Sequence, residues 1–179
     1  GSGTGWTSEW LRRLNLRVVS VDISVDMLKV GQSRPGGSES AVVAADLEAL
    51  PFGRGSFDRA FCMNALHHVP DPELALREIF RVLTDEGRLV LVEPGTGHAS
   101  NPTAQAAMSD FSVLEQDLEA TELMGYCLGA GFPYVAVRPL SYMTGEIELS
   151  RDELTRWRKW TRTKRPARTI GKIRRALLE

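Results

Sequence analysis

Three glycines at every second position, Gly1, Gly3 and Gly5, open the chain ahead of a helical pattern; a β-branched run, Arg17-Val18-Val19-Ser20-Val21, follows and stops at Asp22. No other stretch restricts the fold as much. Glycine lacks a Cβ, so a glycine-rich turn can take positive φ and aim amide N–H groups at a ligand from a helix N-terminus. An acid about 20 residues on, at the tip of the next strand, can accept hydrogen bonds from both hydroxyls of a ribose. Together these parts read as a nucleotide-cofactor arrangement. A glycine-rich N-terminus can also be a loose tail, so the reading depends on the rest of the chain.

Trp6, Trp10, Leu11 and Leu14 recur at helical spacing and predict a helix over 5–14, ended by Asn15. Ser24 can cap a short helix carrying Met27 and Leu28; it should stop before 31–37, a Gly- and Pro-rich stretch predicted to be a mobile loop. Ala41 to Ala45 is strand-like and again ends in an acid, Asp46, with Leu50-Pro51-Phe52 in the turn-rich stretch that follows. Phe57 to Met63 gives another strand, closed by Asn64 and a polar turn with His67, His68 and Pro70. Asp71 caps the next helix and Pro72 sits in its first turn. Leu76, Ile79, Phe80 and Leu83 line one face, and Gly87 is expected to close it. Arg88 to Val92 is a further strand, ending at Glu93. After a polar stretch at 96–113, Ala120, Leu123, Met124, Cys127 and Leu128 mark a helix ended by Gly129 and Gly131, and Tyr134 to Val137 reads as one more strand. From Ser150 a capping box, Ser150-x-x-Glu153, opens a basic helix that Arg165-Pro166 interrupts. Alternating strands and helices imply an α/β fold, a mostly parallel sheet with helices on both faces, and a ligand site at the carboxyl ends of the strands.

At 179 residues and 42% hydrophobic content the chain can build a sizeable core. With 22 basic and 23 acidic residues the net charge is −1, so no global field favours nucleic acid or an anionic membrane, and no nucleic-acid partner is expected. There is no signal peptide pattern and no apolar run near membrane-spanning length. Cys62 and Cys127 fall in apolar segments without metal-ligand spacing, which reads as reduced thiols in a cytoplasmic protein with no metal. Residues 151–179 carry 11 Lys/Arg against 3 Asp/Glu. With Trp157 and Trp160 that tail could meet nucleic acid or an acidic membrane; the plainer reading is a solvated helix face in a covering or dimerising subdomain. The expected division is a domain over 1–149 and a basic helical tail over 150–179.

Taken in order and spacing, these motifs resemble a class I S-adenosylmethionine-dependent methyltransferase. The residues that carry the resemblance are Gly1-Ser2-Gly3-Thr4-Gly5, Val21-Asp22-Ile23-Ser24, Asp46 with Leu50-Pro51-Phe52, Asn64 through Pro72, Glu78 through Leu83, and Gly87 through Pro94. The resemblance covers about residues 1–95. It implies a Rossmann-like, doubly wound fold, S-adenosyl-L-methionine as cofactor, and methyl transfer to a small-molecule, lipid or glycan-precursor acceptor. Carried over residue by residue, it implies that Gly1, Gly3 and Gly5 approach the methionine part of the cofactor and that Asp22 holds the ribose hydroxyls. Ile23 and Met27 would press on the adenine face, and Asp46 would accept from the adenine amino group with the Leu47 amide nearby. Met63 and Asn64 would close over the amino-acid end. Such a ligand, cationic at sulfur and carrying a ribose and an exocyclic amine, suits acids placed at successive strand tips.

The family's glycine turn follows a strand and N-terminal helices, and its sheet ends in an antiparallel strand pair. This chain starts inside the turn and shows basic helices where the last strand would be, so it reads as a fragment, cut at both ends or at least at the front. The missing strand would be central and would leave its neighbours with unpaired edges. Transfer from a sulfonium needs orientation and, where the acceptor is protonated, a base. His67 is the candidate base and Glu93 the second; the alternative for His67 and His68 is a structural, loop-capping role. His98 lies in a polar loop with no identifiable partner. Two further readings remain: a methyltransferase-like binding protein without catalytic activity, and an NAD-type oxidoreductase. The second is disfavoured because Trp6 stands where its phosphate loop needs a third glycine.

Overall fold

A computed structural model of the chain describes residues 1–34 and 41–137. All but the last two of these belong to one compact unit, Gly1–Val135. The domain boundary expected at 149/150, the basic tail and most of the predicted 31–37 loop lie outside the described residues.

The glycine turn leads into α1 (Trp6–Arg12), whose N-cap Gly5 has φ 74°. Strand β1 (Val19–Asp22) follows, then α2 (Val25–Ser33), capped by the Ser24 hydroxyl accepting from the Met27 amide. The chain continues through β2 (Ala41–Ala44), β3 (Phe57–Met63), a 3-10 turn at Leu66–His68, α3 (Pro72–Val82) and β4 (Leu83–Val92). Helices α4 (Pro102–Phe111) and α5 (Ala120–Gly129) complete the described elements.

Both strand pairs are parallel, as their helical crossovers require: β1 runs beside β2, and β3 beside β4. No ladder joins the two pairs among the described residues, so the expected sheet is present as two two-stranded halves. The glycine turn and α1 bridge them. The Ser2 amide donates to the Val21 carbonyl at 2.8 Å, while the neighbouring Gly1 lies so close to Ala65 that a Cβ there would collide with it. Helix α1 touches both pairs, through a buried 2.8 Å hydrogen bond from Ser20 to Ser8 and through Trp10, whose ring lies 6.5 Å from that of Phe61.

The main core gathers around α3. Ala75, Leu76, Ile79 and Val82 pack with Cys62 of β3, Leu66, Leu118 and Cys127 of α5. This is the face the apolar spacing marks, with Phe80 at its margin stacked edge-on against Phe132 at 5.1 Å.

Four expectations need correction. Gly87 does not end α3: the helix stops at Val82 because Leu83 turns extended and pairs with Phe57. The register then jumps to Arg59 opposite Arg88, and Gly87 lies in the bulge between, where a Cβ would sit 2.8 Å from that of Leu83. Helix α2 does not stop before Gly31 but includes it, because the missing side chain lets the helix approach Thr4, to which a Cβ would come within 3.2 Å. The polar 96–113 stretch contains α4, capped by Asn101 with Pro102 at its first turn. Only Ala104 of α4 is buried, so no apolar period announces it. Tyr134–Val137 forms no strand with any of the other described residues.

Candidate active site

The residues expected to meet a cofactor cluster at the carboxyl ends of β1, β2 and β3. Asp22 is buried at the tip of β1; its Oδ2 accepts from the Gly3 amide at 2.7 Å and its Oδ1 from the Ser24 amide at 2.9 Å. The carboxylate therefore locks the glycine turn to the strand tip and keeps one lone pair on each oxygen for a ligand. Gly3 and Gly5 have φ of 52° and 74°, which L side chains avoid. Ile23 and Met27 follow with 72% and 47% exposure, a large apolar surface left in water next to a carboxylate. Asp46 uses Oδ1 to accept from the Glu48 amide at 2.9 Å, beside Leu47. Met63 pairs with Val92 at the end of β3, and Asn64 takes a left-handed conformation, φ 50°, while its amide donates to the Val92 carbonyl. Ser2 Oγ is buried with no hydrogen-bond partner.

A cleft of about 360 Å³, counted with its open mouth, lies by the glycine turn and is lined by Ser2, Gly3, Gly5, Ser20, Leu28 and Arg34 among others. It shares Gly3 and Gly5 with the expected set but includes neither Gly1, Asp22 nor the tips of β2 and β3. It opens toward α1 and α2 instead.

A second cluster lies beyond β3. Glu93, buried at the end of β4, accepts from the Ala65 and Leu66 amides at 3.0 and 2.9 Å and from His67 Nδ1 at 2.6 Å. Burial by itself raises the Glu93 pKa; the hydrogen bonds from His67 and from the Leu66 and Ala65 amides outweigh it and hold the carboxyl below its ordinary value. The Cys62 thiol beside it, 3.9 Å from Glu93 Oε1, is pushed up to about 12 by burial and by the Glu93 charge, and so stays neutral. Both cysteines are free and buried.

His67 is 3% exposed, with Nε2 3.4 Å from Glu115 Oε2. His68 Nδ1 contacts the Leu114 carbonyl at 2.7 Å. His98 does have partners: Nε2 lies 2.9 Å from Glu115 Oε2, and Asn101 Nδ2 lies 3.3 Å from Nδ1. The three rings pack on one another, with centroids 3.9 Å apart for His67 and His68 and 4.7 Å for His67 and His98. Sequence reasoning missed Glu115 altogether. It stands in the 112–119 segment between α4 and α5, where neither spacing nor a motif singles out one acid among several; only the fold brings it across to the histidines.

A methyltransferase domain family model matches residues 1–91. A demethylmenaquinone methyltransferase from Thermobifida fusca is 41% identical over 95 residues, which is 51% of this chain and 40% of that protein. A malonyl-[acyl-carrier protein] O-methyltransferase from Erwinia pyrifoliae is 32% identical over 147 residues, 75% of this chain and 55% of that protein. The chain therefore spans about half, or less, of the length of these relatives. An S-adenosylmethionine-dependent methyltransferase from Mesorhizobium loti superposes with a TM-score of 0.65 at 19% identity, over 73% of this chain and 70% of that one, a likeness of fold. With the glycine turn, the Asp22 and Asp46 strand tips and all but the last residue of the parallel strand pairs inside the matched region, the chain belongs to the methyltransferase domain family.

Proposed function

We propose that this chain binds S-adenosylmethionine at the tips of β1, β2 and β3 and serves methyl transfer to a small-molecule acceptor. The observation that carries the reading is the Asp22 carboxylate, buried at a strand tip and held by two backbone amides beside a positive-φ glycine turn. The donor set fits the cofactor. Asp22 retains acceptor capacity for a ribose diol, Ile23 and Met27 offer apolar surface to a flat ring, and Asp46 keeps one oxygen for an exocyclic amine. The unpartnered Ser2 hydroxyl and the Gly1, Gly3 and Gly5 backbone suit the amino-acid end, with Leu47, Met63 and Asn64 closing the opposite side. When bound, the sulfonium supplies a methyl group already activated for in-line displacement.

Where the acceptor must lose a proton, we assign His67 as the base. Glu93 accepts the Nδ1 proton, which leaves Nε2 as the basic atom of the neutral ring. Glu115 now stands against that nitrogen, so an acceptor reaches it as Glu115 swings aside. Exposed Val113 and Leu114 lie on the same segment, with exposed Phe111 at the end of α4 just before it, and offer an apolar approach. The relatives' names, which specify demethylmenaquinone and malonyl-[acyl-carrier protein], support a small or carrier-borne acceptor. We read residues 1–149 as the cofactor-binding domain and 150–179 as a basic tail or covering subdomain. We also place the protein in the cytoplasm, on the two free, buried thiols. No helix among the described residues is long and apolar enough to cross a membrane.

The test is calorimetric titration of S-adenosylhomocysteine into the chain and into an Asp22→Asn variant. Saturable binding is expected, about 10- to 100-fold weaker in the variant, the loss of one or two charge-assisted hydrogen bonds. Absence of binding to the folded wild type sinks the reading.

A further inference from the structure

The cluster beyond β3 has a second chemical capacity, independent of the cofactor site. We propose that His67, His68 and Glu115 form a site for a divalent transition metal of the Zn²⁺ or Co²⁺ kind, clamping the turn after β3 to the segment that precedes α5.

Ligand atoms of these three residues all lie within 4.8 Å of one another. Imidazole nitrogens with a carboxylate oxygen are the donor set such ions take. One tautomer of each ring satisfies the hydrogen bonds around it and names the atom that carries the lone pair. Glu93, ionised and accepting amides, takes the Nδ1 proton of His67, so the lone pair of the neutral ring is on Nε2. That nitrogen faces Glu115 Oε2 at 3.4 Å. In the tautomer that donates Nδ1–H to Glu93, Nε2 and Oε2 turn lone pairs toward each other, a pair that a metal cation can bridge in place of a proton. Neighbouring N and O ligands on a tetrahedral zinc, each about 2.0–2.2 Å from the ion, stand about 3.3–3.5 Å apart. The His67–Glu115 separation matches, and the set as a whole, within 4.8 Å, closes up on binding.

A carbonyl can only accept, so His68 donates Nδ1–H to Leu114 and its neutral ring carries the lone pair on Nε2. Its Nδ1 is also 3.7 Å from Glu115 Oε1, so the ring lies beside the same carboxylate and ligates through Nε2, or through Nδ1 once the Leu114 hydrogen bond is released. His98 plays a supporting part. Asn101 Oδ1 accepts from the Ala104 amide, which fixes Nδ2 as the donor toward His98 Nδ1; His98 then carries its proton on Nε2 and gives it to Glu115 at 2.9 Å. Each of the three ligands is thus backed by its own partner: Glu93 behind His67, the Leu114 carbonyl behind His68, His98 behind Glu115. Metal centres use this second layer to fix tautomer and ring orientation. Side-chain exposure is 3% at His67, 8% at Glu115 and 37% at His68, so the cluster is walled on two sides and reachable from the third, where a water can complete four-coordination. His67 Nε2 holds either a proton or the metal. Occupancy would therefore withdraw the base while fixing Glu115 and its segment in place.

The probe is Co²⁺, titrated into the chelator-treated, folded chain and followed by visible ligand-field absorption, with Zn²⁺ calorimetry in parallel. One ion per chain is expected, with the intense band of a low-coordinate N/O site. Binding should weaken by about 10-fold or more in both His68→Gln and Glu115→Gln, each checked for folding by circular dichroism. If Glu115→Gln fails to fold, the more exposed His68→Gln decides alone. No saturable uptake by the wild type, or wild-type strength in a folded variant, overturns the assignment. Neither result bears on cofactor binding, which the Asp22 titration reads separately.

Discussion

Glu93 shows how much one buried carboxylate can organise. It receives the Ala65 and Leu66 amides and the His67 ring, so replacing it with Gln turns half of an acceptor set into a donor aimed at other donors. Glu93→Gln is expected to lower unfolding free energy by about 3 kcal/mol in urea titrations. The pH dependence follows from the sign of the shift. The folded carboxyl titrates below its ordinary 4.5, so its stabilisation is fully present above that value and is lost as pH falls through the lower folded value. The wild type should lose stability from about pH 4.5 downward, and the part of that slope due to Glu93 should be missing from the variant. The residue was visible in the sequence as a strand-tip acid; its grip on the His67 turn was not, because the partners lie 26 to 28 positions away.

Helix α3 was legible almost whole, and its cap is the reason it starts where it does. Asp71 Oδ1 accepts from the Leu74 amide at 2.9 Å, with Pro72 next in the chain. Asp71→Ala should cost about 1 kcal/mol, readable as a lowered thermal midpoint. The other end was misread because tertiary pairing outranks a local stop signal: Leu83 gains a ladder partner in Phe57, and the glycine serves the bulge instead. The same helix holds the Leu50-Pro51-Phe52 stretch by a clasp no spacing reveals. Arg81 donates to the Phe52 and Leu50 carbonyls at 2.6 and 2.9 Å, and Glu78 accepts from the Leu50 amide. The Arg81 hydrogen bond to Glu78 is the chief cause that lowers the Glu78 carboxyl pKa. Helix α4 escaped notice for the opposite reason, since its cap was in plain sight but its apolar face is a single alanine.

The unit Gly1–Val135 carries, among its described residues, two parallel strand pairs held at their carboxyl ends by the glycine turn and along one side by α1. The Ser8–Ser20 hydrogen bond is one of the few buried polar links between α1 and β1. Ser8→Ala leaves the Ser20 hydroxyl buried without its partner and should cost about 1–2 kcal/mol in denaturant unfolding. The core does not share this arrangement evenly. It is concentrated around α3 and the β3–β4 pair, with Val21 of β1 packed only at its edge.

What the sequence determined by itself is local: glycines with positive φ, acids at strand tips, helix caps, and the alternation that makes the strands parallel. Each depends on the conformational limits of one residue or on a period along a few turns of chain, and both are written in residue type. Tertiary structure alone decided where elements end and which distant groups meet, namely Leu83 with Phe57, Arg81 with the 50–52 carbonyls, and Glu115 with His67 and His98. Those outcomes depend on burial and on long-range hydrogen bonding, whose energies exceed any single residue's local preference.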